Sequence, residues 1–122
     1  MEYSEKIMDH FKNPRNTGEI PDADGVGGIG DPSCGDYMKV WIKVSDDFHI
    51  EKITFKCKGC PAAIALGSIM TEMAAGKHID EAAEITDRHI EKEAGALPEH
   101  KKHCSNIAAA ALYKAIINYV TD

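Results

Sequence analysis

Between Asp36 and Ser45, aliphatic residues alternate with Tyr37, Lys39, Trp41 and Lys43. Because successive side chains of a strand point to opposite faces, this alternation predicts a half-buried β-strand. Its apolar face consists of Met38, Val40, Ile42 and Val44. Ser45-Asp46-Asp47 supplies a turn, and the apolar residues of Phe48 to Lys56 predict a second strand that returns antiparallel to the first. The alternation loses phase near Glu51-Lys52, which predicts a bulge or a tight bend in this hairpin.

Helical spacing of apolar residues is found on both sides of the hairpin. The segment Pro61 to Ala75 begins with proline at its first helical position and is followed by Gly76, where a C-terminal cap belongs. Other segments with a helical pattern are Tyr3 to Lys12, Asp80 to Glu84, Asp87 to Glu93 and Ser105 to Val120. The predicted fold class is α+β, with a small three-stranded antiparallel sheet and helices packed on one face.

The segment from Asn16 to Gly35 is rich in Gly, Pro and Asp, which is typical of an extended or mobile loop. Within it, Gly25 to Gly30 is a candidate for a third strand at the sheet edge and also matches GxGxxG. A dinucleotide site needs a strand before such glycines and a helix after them, and neither is predicted here. We therefore expect one domain over residues 1–122, of which residues 1–35 include a mobile arm.

Composition and charge restrict the class of partner. A chain of 122 residues with 43% hydrophobic residues is long enough to bury a core. Its net charge of −6, without a Lys/Arg cluster interleaved with aromatics, disfavours nucleic acid and favours protein partners. Charged residues interrupt Met1 to Phe11, so we expect no signal peptide, and no run is apolar enough to span a membrane. We expect a cytoplasmic protein whose four cysteines are ligands or reactive thiols.

Three separated segments carry soft metal ligands: Cys34-Gly35-Asp36, Cys57-Lys58-Gly59-Cys60 and His103-Cys104. Thiolates bind zinc and iron–sulfur clusters, so these segments predict one metal site assembled from distant parts of the chain. Cys60 precedes a predicted helix, whose N–H groups and dipole would lower the pKa of its thiol. Cys57 would pack equally well as a small strand residue and stays outside the predicted ligand set.

His103 and Cys104 are adjacent on a predicted helix. Neighbouring helical residues diverge by about 100 degrees, so simultaneous ligation by both side chains would be strained. The adjacency instead suits alternative ligation, in which a small rotation exchanges sulfur for nitrogen. The divergence also argues against a Cys/His catalytic dyad, whose two members must face each other.

Together these segments resemble a known family, the iron–sulfur cluster assembly scaffold proteins of the IscU type, which also form the N-terminal domain of NifU. The resemblance is carried by three stretches in the same order and spacing: Gly30 to Lys39, Phe55 to Ala65, and Leu97 to Ser105. It implies an IscU/NifU-N-like fold. It also implies a ligand set in which three thiolates are joined by a variable fourth ligand. The thiolates are those of Cys34, Cys60 and Cys104, and the fourth-ligand candidates are Asp36 and His103.

The same resemblance implies a scaffold function rather than an enzymatic one. Proteins of this type take sulfur from a cysteine desulfurase, build a labile [2Fe-2S] cluster with iron and with electrons from a donor such as ferredoxin, and release it to apo acceptor proteins. On this basis Cys104 is the preferred persulfide acceptor and Cys34 the second. Zinc fits the same ligands tetrahedrally.

Two features depart from the family pattern. Cys57 occupies a position that usually lacks cysteine, which leaves three roles open for it: an extra ligand, a sulfur relay or a strand residue. Glu99 and His100 replace the Pro-Val that Hsp70-type chaperones recognise in bacterial relatives, although three other residues of that motif remain, namely Leu97, Pro98 and Lys101. The resemblance therefore does not carry chaperone-assisted release over to this chain.

Two alternatives use the same thiolates. Zinc-dependent sulfur acceptors of the SufU type usually carry an insertion between the second and third segments, whereas 43 residues separate Cys60 from Cys104 here, which fits the uninserted scaffold form. A purely structural zinc domain explains the thiolates but not Asp36 or the adjacent His103 and Cys104. The scaffold interpretation ranks first, the sulfur acceptor second and the structural zinc domain third.

Overall fold

A computed structural model of the chain describes residues 3–30, 37–95, 97 and 99–121. Within these ranges, three antiparallel strands form one sheet in the order β1-β2-β3. The strands are β1 (Gly25–Gly30), β2 (Tyr37–Val44) and β3 (Ile50–Lys58). The helices are α1 (Glu5–Lys12), α2 (Pro61–Ala74), α3 (Ile79–Ala83), α4 (Asp87–Ala94) and α5 (His103–Thr121), with a short 3-10 helix at Glu99–Lys101. The predicted α+β class is confirmed.

The hairpin of β2 and β3 contains the predicted bulge. Lys43 pairs with Lys52 and Val44 pairs with Ile50, so Glu51 is the extra residue. The predicted start of β3 at Phe48 is wrong, because Phe48 has a φ of 64° and donates its N–H to the carbonyl of Ser45 within the turn. The strand therefore begins two residues later.

Helices α2 and α5 cover one face of the sheet, which is the inner face. The side chains of Met38, Val40 and Ile42 point to this face and are completely buried. On α2, a Cβ at Gly67 would lie 2.6 Å from the ring of Phe55, so only a glycine lets the helix come this close to β3. The predicted packing of helices on the sheet is confirmed.

Close packing also explains two of the glycines of β1, Gly25 and Gly27. A Cβ at Gly25 would lie 2.3 Å from the carbonyl oxygen of Ala115, and a Cβ at Gly27 would lie 2.3 Å from the backbone nitrogen of the same residue. Real Cβ atoms do not come so close to another backbone, so α5 could not rest on β1 if these residues carried side chains. The prediction of a third strand at Gly25–Gly30 is confirmed. Helix contact accounts for Gly25 and Gly27, the first two glycines of GxGxxG, whereas Gly30 has a φ of 92°, which favours glycine. The mobility of the arm within residues 1–35 stays a prediction.

The segment before β1 adds hydrogen bonds to the edge of the sheet. The chain before β1 lies along the outer edge of β3, where Phe55 donates its N–H to the carbonyl of Asn16 and accepts from the N–H of Gly18. Among the residues described, no helix combines the length and apolar character that crossing a bilayer requires. Both α2 and α5 begin at cysteine-bearing segments, and their first turns define the site.

Candidate metal centre

The starts of α2 and α5 bring two thiols together. Cys60 is the N-cap residue of α2, in extended conformation immediately before Pro61, and Cys104 is the second residue of α5. Their Sγ atoms lie 3.7 Å apart although 43 residues separate them in the chain. The predicted convergence of these two segments is therefore present in the fold.

The imidazole of His103 lies beside the thiol of Cys104. Its Nε2 atom is 3.6 Å from the Sγ of Cys104, so the expected divergence of these two donors is wrong. The reason is that His103 is the first residue of α5 and is exposed, so the turns around its side-chain bonds can bring the ring back over its neighbour. The argument that divergent side chains keep this Cys and His apart therefore no longer holds.

These distances fit the edges of a tetrahedral metal site. With metal–sulfur bonds of about 2.3 Å and metal–nitrogen bonds of about 2.0 Å, tetrahedral angles place two sulfurs about 3.8 Å apart and sulfur and nitrogen about 3.5 Å apart. Within the described ranges, however, no three His, Cys, Asp or Glu side chains form a group that could hold a metal ion. Cys34 and Asp36, the first predicted segment, lie outside the described residues.

The charge of Cys60 is set by its position. Burial raises the pKa of this thiol, but the N–H of Ala63, the thiol of Cys104, the N–H of Ala62 and the ammonium of Lys101 together bring the pKa below its ordinary value. The side chain makes no cap hydrogen bond of ordinary geometry, so the helix acts mainly through the field of its first N–H groups. The predicted lowering of the Cys60 pKa agrees with this direction.

Lys101 is a functional candidate that the sequence pattern did not single out for this role. The charge of Cys60 is the largest of the causes that raise the pKa of this ammonium, and Cys104 contributes to the same shift. The side chain therefore stands close enough to the sulfur of Cys60 to favour its thiolate. The sequence does place Lys101 three residues before Cys104, which could have indicated a charge close to this thiol. From the sequence, Lys101 was assigned only to the chaperone motif.

Cys104 is held more firmly than Cys60. It has no exposed surface, and the next residue, Ser105, donates its hydroxyl to a carboxylate oxygen of Glu91 at 2.8 Å. This bond joins the first turn of α5 to α4. Cys60, by contrast, is half-buried.

Cys57 lies on β3, three residues before Cys60. It pairs with Met38 across the sheet, faces the inner side and packs half-buried against the core. It also lines a groove of about 490 Å³ together with Thr17, Gly18, Phe55, Lys56 and Ile64. Its location fits the small strand residue as well as an accessory thiol.

A family profile described as the NifU-like N terminal domain matches residues 2–122 of the chain. The chain belongs to this family. The predicted resemblance is thereby confirmed, and the NifU-like domain accounts for nearly all of the sequence.

Relatives of this NifU-like domain have names that agree with one another. An iron–sulfur cluster assembly scaffold protein IscU of Archaeoglobus fulgidus is 56% identical over 117 residues, which is 96% of this chain and 76% of that protein. The protein of the same name from Escherichia coli K12 is 47% identical over 122 residues, covering 98% of this chain and 94% of its own length. These names describe scaffolds of the IscU type and not enzymes, as predicted.

Solved structures share the fold of this NifU-like domain. A putative iron–sulfur cluster assembly scaffold protein for the SUF system from Fervidobacterium islandicum matches with a TM-score of 0.76 at 25% identity, covering 95% of this chain and 97% of the other. The N-terminal part of a nitrogen-fixing NifU-like protein from Brucella abortus also has a TM-score of 0.76, at 19% identity and with coverage of 99% and 96%. The latter likeness concerns the fold alone.

Proposed function

We propose that this protein is a scaffold on which a labile [2Fe-2S] cluster is assembled and from which it passes to apo acceptor proteins. One observation carries the proposal: the thiols of Cys60 and Cys104 lie 3.7 Å apart at the starts of two helices. The names of the relatives from Archaeoglobus fulgidus and Escherichia coli support it. Iron and sulfide are the cargo of such a protein.

In this proposal three thiolates hold the cluster and a weaker donor completes the site. The thiolates are those of Cys34, Cys60 and Cys104, and the fourth corner is the carboxylate of Asp36 or the imidazole of His103. Oxygen and nitrogen donors are harder than thiolate, so an acceptor thiolate can replace them at iron. The contact between His103 and Cys104 keeps the imidazole within reach of that corner.

Sulfur would arrive as the outer sulfur of a persulfide on a cysteine desulfurase. An acceptor thiolate on the scaffold attacks that sulfur, a new S–S bond forms, and the desulfurase cysteine leaves as a thiolate. Each sulfur then needs two electrons to become sulfide, and a donor such as ferredoxin would supply them. Cys104 is the preferred acceptor and Cys34 the second. Since Cys104 has no exposed surface, its role requires the first turn of α5 to open.

The compartment in this proposal is a reducing cytoplasm, where exposed thiols persist. The partners are the desulfurase, the electron donor and the apo acceptor proteins. The proposal does not include chaperone-assisted release. Glu99 and His100 alter the middle of the chaperone motif, of which Leu97, Pro98 and Lys101 remain.

A zinc-dependent sulfur acceptor is the second candidate. The likeness to the Fervidobacterium islandicum protein for the SUF system favours it, as do the separations of 3.7 Å between the Sγ atoms of Cys60 and Cys104 and of 3.6 Å between the Sγ of Cys104 and the Nε2 of His103. The 43-residue spacing between the two cysteines favours the uninserted scaffold form. A structural zinc domain ranks third.

Anaerobic reconstitution distinguishes these functions. The purified protein is incubated with ferrous iron, a cysteine desulfurase and cysteine under a reductant, and the product is measured by absorption and Mössbauer spectroscopy. The scaffold function predicts a [2Fe-2S] signature that is lost from this protein and gained by an added apo-ferredoxin. Tight zinc binding with persulfide formation and no cluster would transfer the assignment to the sulfur acceptor.

A further inference from the structure

Lysines stand opposite one another across the sheet. The register places Lys39 directly opposite Lys56 and Lys43 directly opposite Lys52. All four lie on the outer face of the sheet, because they alternate with the buried residues of β2 and β3. Like charges in directly opposed positions destabilise a sheet, so this arrangement calls for an explanation.

Protection of an exposed sheet edge does not explain these opposed lysines. Lysines on an edge strand discourage pairing with other chains, but Lys39 and Lys43 belong to β2, the central strand. Between them lies Trp41, over whose ring the ammonium of Lys39 stands at 5.2 Å from the centroid. The outer face is thus a basic surface with an aromatic residue at its centre, in a chain with a net charge of −6.

Carboxylates of the same chain already lie on this face. Glu19 contacts Lys56 at 2.9 Å, and Lys43 contacts Asp22 at 3.3 Å and Asp24 at 3.7 Å. We call residues 19–24 the acidic strap. Ile20, which is buried, anchors it, and Lys52 helps to lower the pKa of the Asp22 carboxyl.

The ion pairs of the acidic strap are exchangeable. The side chains of Glu19 and Asp22 are 56% and 80% exposed. Exposed pairs of this kind contribute little to stability, since both charges are almost as well solvated when apart. A carboxylate from another molecule can therefore replace them without disturbing the core.

We propose that the lysine face formed by Lys39, Lys43, Lys52 and Lys56 is a docking surface for an acidic, extended segment of a partner protein. The segment competes with the acidic strap for the same ammonium groups. Residues four apart on a strand are separated by about 13 Å, so carboxylates four residues apart in an extended partner match the lysine spacing.

The proposal goes beyond cluster assembly, because none of these lysines belongs to the proposed ligand set. The strap shows that the face accepts the carboxylates of an extended protein segment, because Glu19 contacts Lys56 and Asp22 contacts Lys43. An acidic protein segment is therefore favoured over nucleic acid as the occupant.

A reporter is built into the surface. Trp41 is the one tryptophan of the sequence, so tryptophan emission, excited selectively so that the four tyrosines do not contribute, reports on this face. Titrating the full chain with poly-L-glutamate at low salt should give a saturable change in its emission. Because each exposed charge pair changes an equilibrium constant by at most about fivefold, the double variant Lys39→Gln/Lys52→Gln should bind about three- to tenfold more weakly.

Two further variants make the test specific. Lys92→Gln/Lys114→Gln removes the same charge from exposed positions on α4 and α5 and should leave binding unchanged. Glu19→Gln/Asp22→Asn removes two charges of the acidic strap. This variant should bind poly-L-glutamate more tightly, by about the same factor by which the lysine variant binds it more weakly.

Three results would overturn the proposal. The lysine double variant could bind as tightly as its control, the strap variant could bind no better than the unchanged chain, or duplex DNA could bind more tightly than poly-L-glutamate at the same salt. If the lysine variant did not fold, backbone amide shifts of the unchanged chain would decide. Shifts on β2 and β3 upon addition of poly-L-glutamate support the surface, and shifts confined to the helices refute it.

Discussion

The Nδ1 atom of His10 lies 2.7 Å from the hydroxyl oxygen of Ser68, inside the contact between α1 and α2. The same hydroxyl accepts the backbone N–H of Arg15 at 2.9 Å. The imidazole is almost completely buried, and its Nε2 is 3.4 Å from a carboxylate oxygen of Glu72. A titratable ring thus joins the first helix to the helix that begins at Cys60.

This contact makes stability depend on pH. Burial, with a smaller contribution from Arg15, lowers the pKa of His10, and the opposing effect of Glu72 does not restore it. The unfolded chain therefore takes up the proton first, near pH 6.5, so the contribution of His10 is complete above that pH and is lost as the pH falls through and below it.

The free energy of unfolding in urea, measured from pH 5 to 7.5, should fall more steeply toward low pH in the unchanged protein than in His10→Gln. The substitution itself should cost about 1–3 kcal/mol at pH 7.5, because it disturbs a buried hydrogen bond. The two proteins differ only at residue 10, so the difference between their curves isolates the contribution of His10. Parallel pH curves would contradict the role of His10.

The packing of α5 on β1 predicts a large difference between two neighbouring glycines. In Gly27→Ala the new methyl group would lie 2.3 Å from the backbone of Ala115, so the helix must move away and about 1–3 kcal/mol of stability should be lost. In Gly28→Ala the nearest atoms would be 3.7 Å away, in the ring of Tyr37. That variant should be neutral or slightly more stable, since alanine restricts the unfolded chain. Urea denaturation of the pair checks this, and equal stabilities would refute the contact.

Local pattern was enough to predict the elements, whereas contacts between elements were not available from it. The alternation of Asp36 to Ser45 predicted β2, and the phase loss at Glu51 predicted the bulge, because both depend on neighbours in the chain. The glycines of β1 were open to several interpretations, since the reason for them is the backbone of Ala115, distant in sequence.

The site shows the same division. The position of Cys60 before Pro61 was sufficient to predict its helix start and the direction of its pKa shift. The sequence was not sufficient to predict the contact of His103 with Cys104, because this contact depends on a side-chain rotation at an exposed helix end. The opposed lysine pairs could not be predicted either. Lys39 can be placed opposite Lys56 only when the register of the hairpin is known.

Lys101 should control the reactivity of Cys60 in the metal-free protein. Removing its charge in Lys101→Gln raises the pKa of Cys60 and lowers the thiolate fraction at pH 7, so alkylation by iodoacetamide should slow by about two- to fivefold. The matched control is Lys102→Gln, because Lys102 pairs with Glu99 at 3.0 Å. Mass spectrometry assigns the modified cysteine. The role of Lys101 fails if both variants react with the same rate constant as the unchanged protein.

Burial makes a separate prediction for the two thiols in contact. Cys60 is half-buried with a lowered pKa, whereas Cys104 has no exposed surface, so Cys60 should be alkylated first by at least about tenfold. Adding zinc should protect both, because ligation consumes the thiolates. If Cys104 reacted as fast as Cys60, the first turn of α5 would open readily, which would strengthen Cys104 as the persulfide acceptor and contradict the rigid anchoring through Ser105.

The exchangeable corner of the proposed cluster can be tested at Asp36. If its carboxylate is the ligand that leaves when the cluster is delivered, Asp36→Ala should slow cluster transfer to apo-ferredoxin by about tenfold, while the assembled [2Fe-2S] absorption is retained. His103→Ala is the matched variant, because the imidazole is the other candidate for that corner. Slower transfer in one variant and normal transfer in the other identifies the leaving ligand. Faster loss of the cluster from Asp36→Ala would mean that the carboxylate holds the cluster rather than releasing it. The leaving corner would then be assigned to His103, whose Nε2 lies 3.6 Å from the sulfur of Cys104, one of the proposed ligands.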